Sequence, residues 1–160
     1  MTLEFDMKYT IIFLFALGSL SLASCLMIKD GKPSIQQGVF GRVLWLQGNV
    51  MPSPDAPSRG TGKAAERRLH IYEVTKLDQV ERQAPLFTKV NTRLIATTKT
   101  NKDGYFQCKL KPGRYSIFTV EEEGKLFANL FEGNGEIAPF EVKANGVVTY
   151  HITINHKAFY

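Results

Sequence analysis

The side chains best suited to chemistry are two cysteines and three histidines in a chain of 160 residues. Cys108 stands two residues after Phe106 and two before Leu110, so at strand spacing the thiol shares an apolar face and is expected to be buried and inert. His151 and His156 are five residues apart, which places them on opposite faces of a strand and argues against a shared metal site. An isolated histidine is by default a surface or turn residue. We therefore expect no catalytic residue, no metal and no cofactor.

Two charged runs give weaker signals. Residues 121–123 are three consecutive glutamates, but calcium needs six to eight converging oxygens, so a solvated turn at a strand end is the expected structure. A basic stretch lacks the interleaved aromatic residues of a nucleic-acid interface, and we expect no nucleic-acid partner. The basic stretch consists of Arg59, Lys63, Arg67 and Arg68. An attraction of these side chains to anionic lipid or polysaccharide stays open.

Aromatic side chains are more numerous than one small core face needs. Exposed rings are used by sandwich domains to stack on sugars or to dock protein partners. We take Trp45, Phe118 and Phe127 as candidate ligand-contact residues; the alternative, that both sheets bury the rings, stays open. The rings that raise the question are those of Trp45, Tyr105, Phe118, Phe127, Phe131 and Phe140.

Residues 1–24 are typical of a signal peptide. A lysine follows Met7, residues 9–20 are uncharged and mostly apolar, and residues 21–24 are mostly small and lead to Cys25. The apolar run is too short to span a bilayer comfortably, and the small residues mark a cleavage site. Acidic side chains before Met7 are unusual in such a segment, so we expect translation to start at Met7.

The sequence Leu-Ala-Ser-Cys at residues 22–25 resembles the lipobox of bacterial lipoproteins. The resemblance implies that the Cys25 thiol receives a diacylglycerol, that the chain is then cleaved between Ser24 and Cys25, and that the new amino group is acylated. Acyl chains would hold the domain on a membrane. No aspartate follows the cysteine, which under the enterobacterial sorting rule implies the outer membrane, at its periplasmic or surface face. Residues 25–37 are largely polar and predict a tether.

Length and composition indicate one small domain after the signal segment. A hydrophobic share of 44% is too high for a disordered chain and too low for a polytopic membrane protein. The net charge of +5 favours acidic surfaces without specifying a partner. The two cysteines are too few for a disulfide scaffold.

From residue 38 to residue 160 the pattern is short β segments separated by turns, which predicts an antiparallel β-sandwich. A long loop is expected at residues 52–68 because it holds three prolines, and the best helical candidate is the short segment 63–68. The expected strands are residues 39–50, 70–74, 93–100, 105–110, 114–121, 126–131, 137–142 and 147–155.

Three motifs resemble those of the carboxypeptidase regulatory-like domain. They are Gly-Arg-Val at residues 41–43, the hairpin Thr-Asn-Lys-Asp-Gly-Tyr-Phe at 100–106, and Leu-Lys-Pro-Gly-Arg-Tyr at 110–115. The resemblance covers roughly residues 39–154, extends to small lipoproteins of the Bacteroidetes, and implies a transthyretin-like (prealbumin-like) sandwich of seven strands. Members of this family are mostly accessory modules that stabilise a neighbour or bind peptide or carbohydrate.

Together these features predict a non-enzymatic, lipid-anchored envelope module. We expect it to act as a protein-interaction or structural domain, held on the membrane by its N-terminal lipid. The alternative is a carbohydrate-binding accessory lipoprotein, in which the exposed aromatic residues would contact the glycan. A hydrolase ranks last because no nucleophile–base pair is visible in the sequence.

Overall fold

The computed structural model describes residues 28, 31–51 and 62–159, which form two β-sheets packed around one core. Within these ranges there is no α-helix, and only two 3-10 turns occur, at Leu77–Gln79 and Glu122–Gly124. The expected all-β sandwich is therefore confirmed. The strands in chain order are β1 Gly38–Asn49, β2 Lys63–Ala64, β3 Arg68–Glu73, β4 Val80–Gln83, β5 Leu86–Val90, β6 Leu94–Lys99, β7 Tyr105–Lys109, β8 Gly113–Val120, β9 Leu126–Phe127, β10 Pro139–Val142, β11 Val147–Thr149 and β12 Ile152–Phe159.

The first sheet, sheet A, is built around the long strand β1. Along one side of β1 lie β7 and then β2, both antiparallel to it. Along the other side lie β11 and then β12, both parallel to it. The parallel pairs depart from a purely antiparallel sandwich. They arise because the chain forms β8, β9 and β10 in the other sheet before β11. It then returns to sheet A at the end where β1 begins, so β11 and β12 run in the same direction as β1.

The second sheet, sheet B, has the strand order β4-β5-β9-β8-β3-β6, and β10 pairs with the first half of β8. The hairpin between β6 and β7 connects the two sheets, and the Thr98 hydroxyl donates to the Gln107 carbonyl at 3.0 Å across it. Strand β8 is central and is buried on both faces, since Ser116, Ile117, Phe118 and Thr119 are all at most 1% exposed.

Two glycines of the family-like motifs occupy positions that no larger residue fits. Gly104 ends the turn after β6 with φ near +81°, and a Cβ there would lie 2.5 Å from the Val43 carbonyl oxygen. A Cβ on Gly41 would overlap the Tyr150 carbonyl oxygen. Side-chain atoms do not come this close to backbone oxygens in real structures, so the motif serves the close packing of β1 against its neighbours.

Several local expectations need correction. Residues 63–68 are not helical: they form β2 and the start of β3, and the Ala65 amide donates to the Val43 carbonyl at 3.1 Å. The part of the expected 52–68 loop from residue 62 onward is thus attached to sheet A, whereas residues 52–61 lie outside the described residues. The single strand expected at 147–155 is divided into β11 and β12.

The hairpin of β4 and β5 was missed at the sequence level. Most of its side chains are exposed and polar, so the sequence carries little of the period-two apolar alternation that marks a strand. The two strands are joined through a cis Ala84–Pro85 peptide bond.

The second half of the expected tether is docked on the sandwich. Ile35 is 6% exposed. The Ser34 amide donates to the Gln107 side-chain oxygen at 2.9 Å, and the Gln107 amide nitrogen donates back to the Ser34 hydroxyl at 2.7 Å. The Gln37 side chain donates to the Leu110 carbonyl at 2.8 Å and accepts from the Asn145 amide at 2.9 Å. Residues 34–37 of the expected tether are therefore part of the folded domain.

Candidate functional site

The anchor residues come first among the expected sites. Ser24 and Cys25, with the cleavage site between them, lie outside the described residues. Cys108, the other thiol, was expected to be buried; it packs against the core but is only half-buried. Burial raises the pKa of the Cys108 thiol to about 11, so the thiol is neutral at physiological pH and is not an activated nucleophile.

Two of the three candidate ligand-contact aromatics are core residues, which corrects that expectation. Phe118 is 0% exposed and packs edge-to-face against Tyr72 and Phe87. Phe127 is 3% exposed and lies against the His156 ring, with 5.0 Å between the ring centroids. Both sheets contribute to burying these rings, so neither offers a face to a ligand. The third candidate, Trp45, is half-buried.

The richest polar constellation of the described chain surrounds Glu121 at one end of the sandwich. We call it the Glu121 cluster, and its members are Trp45, Arg67, Thr119, Glu121 and His156. Strand alternation positions three of them. Glu121 continues the buried face of Tyr115, Ile117 and Thr119, and His156 continues that of Ile152 and Ile154. Trp45 lies on the Val43 face of β1.

The Glu121 carboxylate has three partners inside this cluster. The Arg67 Nε lies 3.3 Å from each carboxylate oxygen, and the Thr119 hydroxyl donates to Oε1 at 2.8 Å. The His156 Nε2 lies 3.4 Å from Oε2. The Glu121 and His156 side chains are only 4% and 7% exposed, and that of Arg67 is 29% exposed. A buried carboxylate is tolerated when it is compensated in this way.

Aromatic and cationic groups close the cluster on its outer side. The Trp45 ring is edge-to-face with His156 at 5.2 Å between centroids. The Arg67 guanidinium carbon lies 5.1 Å from the centre of the Trp45 ring, and the Lys157 Nζ lies 5.7 Å from it. These distances are those of cation–π contacts. The indole is therefore covered by cations and is not an open platform for a sugar ring.

A carboxylate beside a histidine can orient a general base. In the Glu121 cluster, however, the only hydroxyl in the group, that of Thr119, donates to Glu121 itself, and Thr119 is 0% exposed. What the arrangement does is join the end of β8 in sheet B to β12 in sheet A. The geometry is that of an inter-sheet contact.

The cluster overturns two expectations about solvated charges. Residues 121–123 were expected to form a solvated turn, but the Glu121 side chain is enclosed and only Glu122 and Glu123 are exposed. His156 is buried although a surface position was expected. His151 does lie on the surface, where its Nδ1 accepts from the Arg42 amide at 3.2 Å. The two histidines are thus on different sides of the strand.

Arg114 of β8 pairs with two glutamates of the connection between β9 and β10, Glu132 and Glu136. Arg114 Nη1 donates to Glu136 Oε1 at 3.1 Å, and Arg114 Nη2 is 3.6 Å from a Glu132 oxygen. Tyr150 lies near this group, and burial, helped by the negative charge of Glu132, raises the pKa of its hydroxyl to about 12. The Glu136 side chain is 6% exposed, so its charge is held by Arg114 and not by water.

Searches against protein-family models, curated proteins and solved structures find no match for this chain. Among the residues that the structure describes, no helix is long and apolar enough to cross a membrane. In the same ranges, no group of three or more His, Cys, Asp or Glu side chains is arranged to hold a metal ion.

Proposed function

We propose that the protein is a non-enzymatic, lipid-anchored β-sandwich of the cell envelope that acts as a protein-interaction module. The lipobox-like residues 22–25 and the preceding apolar run support the anchor, with the outer membrane as the proposed address. The sandwich and the close-packed Gly41 and Gly104 support membership of the carboxypeptidase regulatory-like group.

The sandwich has two distinguishable ends. Residues 31–37, which follow the proposed lipid site, dock along β7, from Gly31 beside the Tyr105 ring to Gln37 where β1 begins. We call the end of the sandwich at which β1 begins the anchored end. From there β1 runs for twelve residues, about 36 Å at the usual rise of a strand. Its other end, with the last residues of β12, forms what we call the distal tip, residues 47–51 and 157–159. A chain anchored at Cys25 would turn this tip away from the lipid.

The observation that carries the proposal is the exposed Phe159 at the distal tip. Its side chain is 72% exposed, and Met51 nearby along the sheet is 54% exposed. The backbone beneath Phe159 is held in place: Phe159 pairs with Asn49, and its carbonyl accepts from the Val50 amide at 3.0 Å. An apolar ring on an ordered strand loses little entropy on docking, which is the property of an interface hot spot.

A protein partner is favoured over the carbohydrate alternative by the arrangement of the rings. Sugar-binding sandwiches need an open aromatic face. Phe118 and Phe127 are internal, and Trp45 is covered by Arg67 and Lys157. The apolar groups that remain open at the tip, Met51 and Phe159, suit a protein surface.

The test is site-specific photocrosslinking in envelopes of the source organism. A photoreactive residue at position 159 is expected to give one discrete protein adduct that is lost when Met51→Asp is added. The matched control carries the same residue at Leu94, which is 45% exposed on β6, far from the tip. Equal adducts at both positions, or no adduct at position 159, would contradict the proposal. Glycan binding that is abolished by Trp45→Ala would favour the carbohydrate alternative.

A further inference from the structure

We infer that the anchored end of the sandwich is itself a membrane-contact surface, which four lysines hold against anionic lipid headgroups. The inference rests on the proposed anchoring at Cys25 and adds to it an orientation of the domain on the bilayer. We call these side chains the basic end, and they are Lys32, Lys109, Lys111 and Lys143.

The fold brings Lys109, Lys111 and Lys143 together at one end, and Lys32 lies on the docked segment that runs along β7 toward them. Lys109 pairs with Gly38, the first residue of β1, and the Gly38 amide donates to the Gly146 carbonyl at 3.0 Å. The Gly146 amide in turn donates to the Lys143 carbonyl at 3.2 Å. Gln37 bonds the carbonyl of Leu110, the residue between Lys109 and Lys111. The docked segment, the β7–β8 connection and the β10–β11 turn therefore form one continuous surface.

The positive charge of this surface is not neutralised within the described part of the chain. All four lysines are exposed, and none forms an ion pair with a described carboxylate. Residues 31–37, 109–113 and 143–146 contain no Asp or Glu. The closest acidic residues along the neighbouring strand and loop are Glu141, Glu132 and Glu136, and the last two lie against Arg114.

The opposite end of the sandwich, around the Glu121 cluster, carries charges of both signs. There Glu121, Glu122 and Glu123 stand among the basic residues, and Arg67, Lys125 and Lys157 each lie within ion-pair distance of one of them. Lys63, Lys99 and Lys102 also lack an ion pair. The contrast between the two ends is therefore in their carboxylates: the segments of the basic end contain none, whereas three glutamates stand at the other end.

Shape supports the same surface. An open groove of about 590 Å³ lies between the docked segment and the β7–β8 connection, and its lining includes Ser34, Ile35, Lys109 and Lys111. A groove that is flanked by two lysine ammonium groups suits the phosphate of a lipid headgroup, because an ammonium binds phosphate as a point charge.

The occupant follows from the length of chain before the docked segment. Gly31 is six residues after Cys25, and six extended residues span at most about 22 Å. An acylated Cys25 would therefore keep the basic end close to the headgroups. Attraction of lysines to anionic lipid acts within about a Debye length, roughly 8–10 Å, so a surface held this near can engage it.

The test uses the chain from residue 25 onward with Cys25→Ser, which retains every described contact but has no acyl chain. Sedimentation is measured with vesicles of phosphatidylcholine alone and with an equimolar mixture of phosphatidylcholine and phosphatidylglycerol. We expect binding only to the anionic vesicles, with a steep fall as salt is raised. Each lysine near the surface is worth about a five-fold change in partition, so replacing all four by Gln is expected to weaken binding by up to about 600-fold.

The matched control replaces four other exposed lysines by Gln, with the same change in net charge: Lys63, Lys89, Lys99 and Lys102. Equal loss in the two variants would show that net charge alone acts and would overturn the inference, as would equal binding to neutral vesicles. Displacement by inorganic phosphate at constant ionic strength would assign a phosphate site in place of a lipid surface. Acylation of Cys25 is read separately by mass, so failure of the anchor and failure of the basic end are distinguishable.

Discussion

The Nε2 of His156 lies 3.4 Å from a carboxylate oxygen of Glu121, and both side chains are enclosed by the sandwich. Glu121 follows β8 of sheet B, and His156 belongs to β12 of sheet A. The contact therefore links the two sheets across the core at the end opposite the docked segment. Arg67 and Thr119 complete the hydrogen bonding of the carboxylate, which makes this end of the fold dependent on a small set of polar partners.

The first prediction concerns Arg67. Arg67→Met leaves the buried Glu121 carboxylate without its guanidinium, so we expect the free energy of unfolding to fall by about 2–4 kcal/mol in urea denaturation. Arg93→Met is the matched control, because Arg93 and Glu73 form an exposed pair with side chains 73% and 50% exposed. Its effect should stay within about 1 kcal/mol. Equal losses of stability in the two variants would contradict the prediction that the Glu121 cluster contributes more than an exposed ion pair.

The second prediction separates a core ring from a surface ring. Phe118→Ala should lower the free energy of unfolding by about 3–5 kcal/mol, since it empties a site that is 0% exposed. Phe159→Ala should change it by no more than about 0.5 kcal/mol, because the ring is 72% exposed. Both are measured by chemical denaturation. A large loss of stability with Phe159→Ala would mean that this ring serves the fold and not a partner.

The third prediction concerns the reactivity of Cys108. Burial raises the pKa of its thiol from 9.0 to about 11, so at pH 8 the thiolate fraction is lower by about 100-fold than in the unfolded chain. Alkylation by iodoacetamide, followed by the mass of the peptide that contains residue 108, should be slow in the native protein. It should become fast in denaturant. Rapid native labelling at pH 8 would show an exposed or activated thiol.

The fourth prediction follows from the same burial. The pKa of Cys108 rises to about 11 and that of Tyr150 from 10.0 to about 12, so both groups favour the folded state in their neutral forms. Their contribution is complete below pH 9 and is lost as pH rises through 11 and 12. Stability should therefore decline above pH 9. The double variant Cys108→Ala, Tyr150→Phe should show a flatter decline. An unchanged pH profile would mean that ionisation of these two groups does not cause the loss of stability.

The sequence could predict most strands because turns and apolar alternation mark them. The Asp-Gly of the β6–β7 hairpin and the Pro-Gly before β8 stand where the structure turns, since only particular residues fit those backbone angles. The β4–β5 hairpin carried no such alternation because most of its side chains face water. The parallel pairing of β11 and β12 with β1 could not be read locally, because it depends on contacts more than one hundred residues apart.

The Glu121 cluster was within reach of the same period-two rule. Alternate residues Tyr115, Ile117 and Thr119 form the buried face of β8, and one more step of two residues reaches Glu121. In the same way Ile152 and Ile154 lead to His156. The residue types favoured the opposite interpretation, since glutamate and histidine are expected at the surface. What the sequence could not supply was the partner, because Arg67 meets Glu121 only after β3 pairs with β8.

The most direct test of the account is the intact mass of the protein extracted from membranes of its source organism. The anchored module requires that residues 1–24 are absent and that Cys25 carries a diacylglycerol and an N-terminal acyl group. A Cys25→Ser variant should then lose the added mass and leave the membrane fraction. A mass that retains residues 1–24, or an unmodified Cys25 in the native protein, would contradict the account.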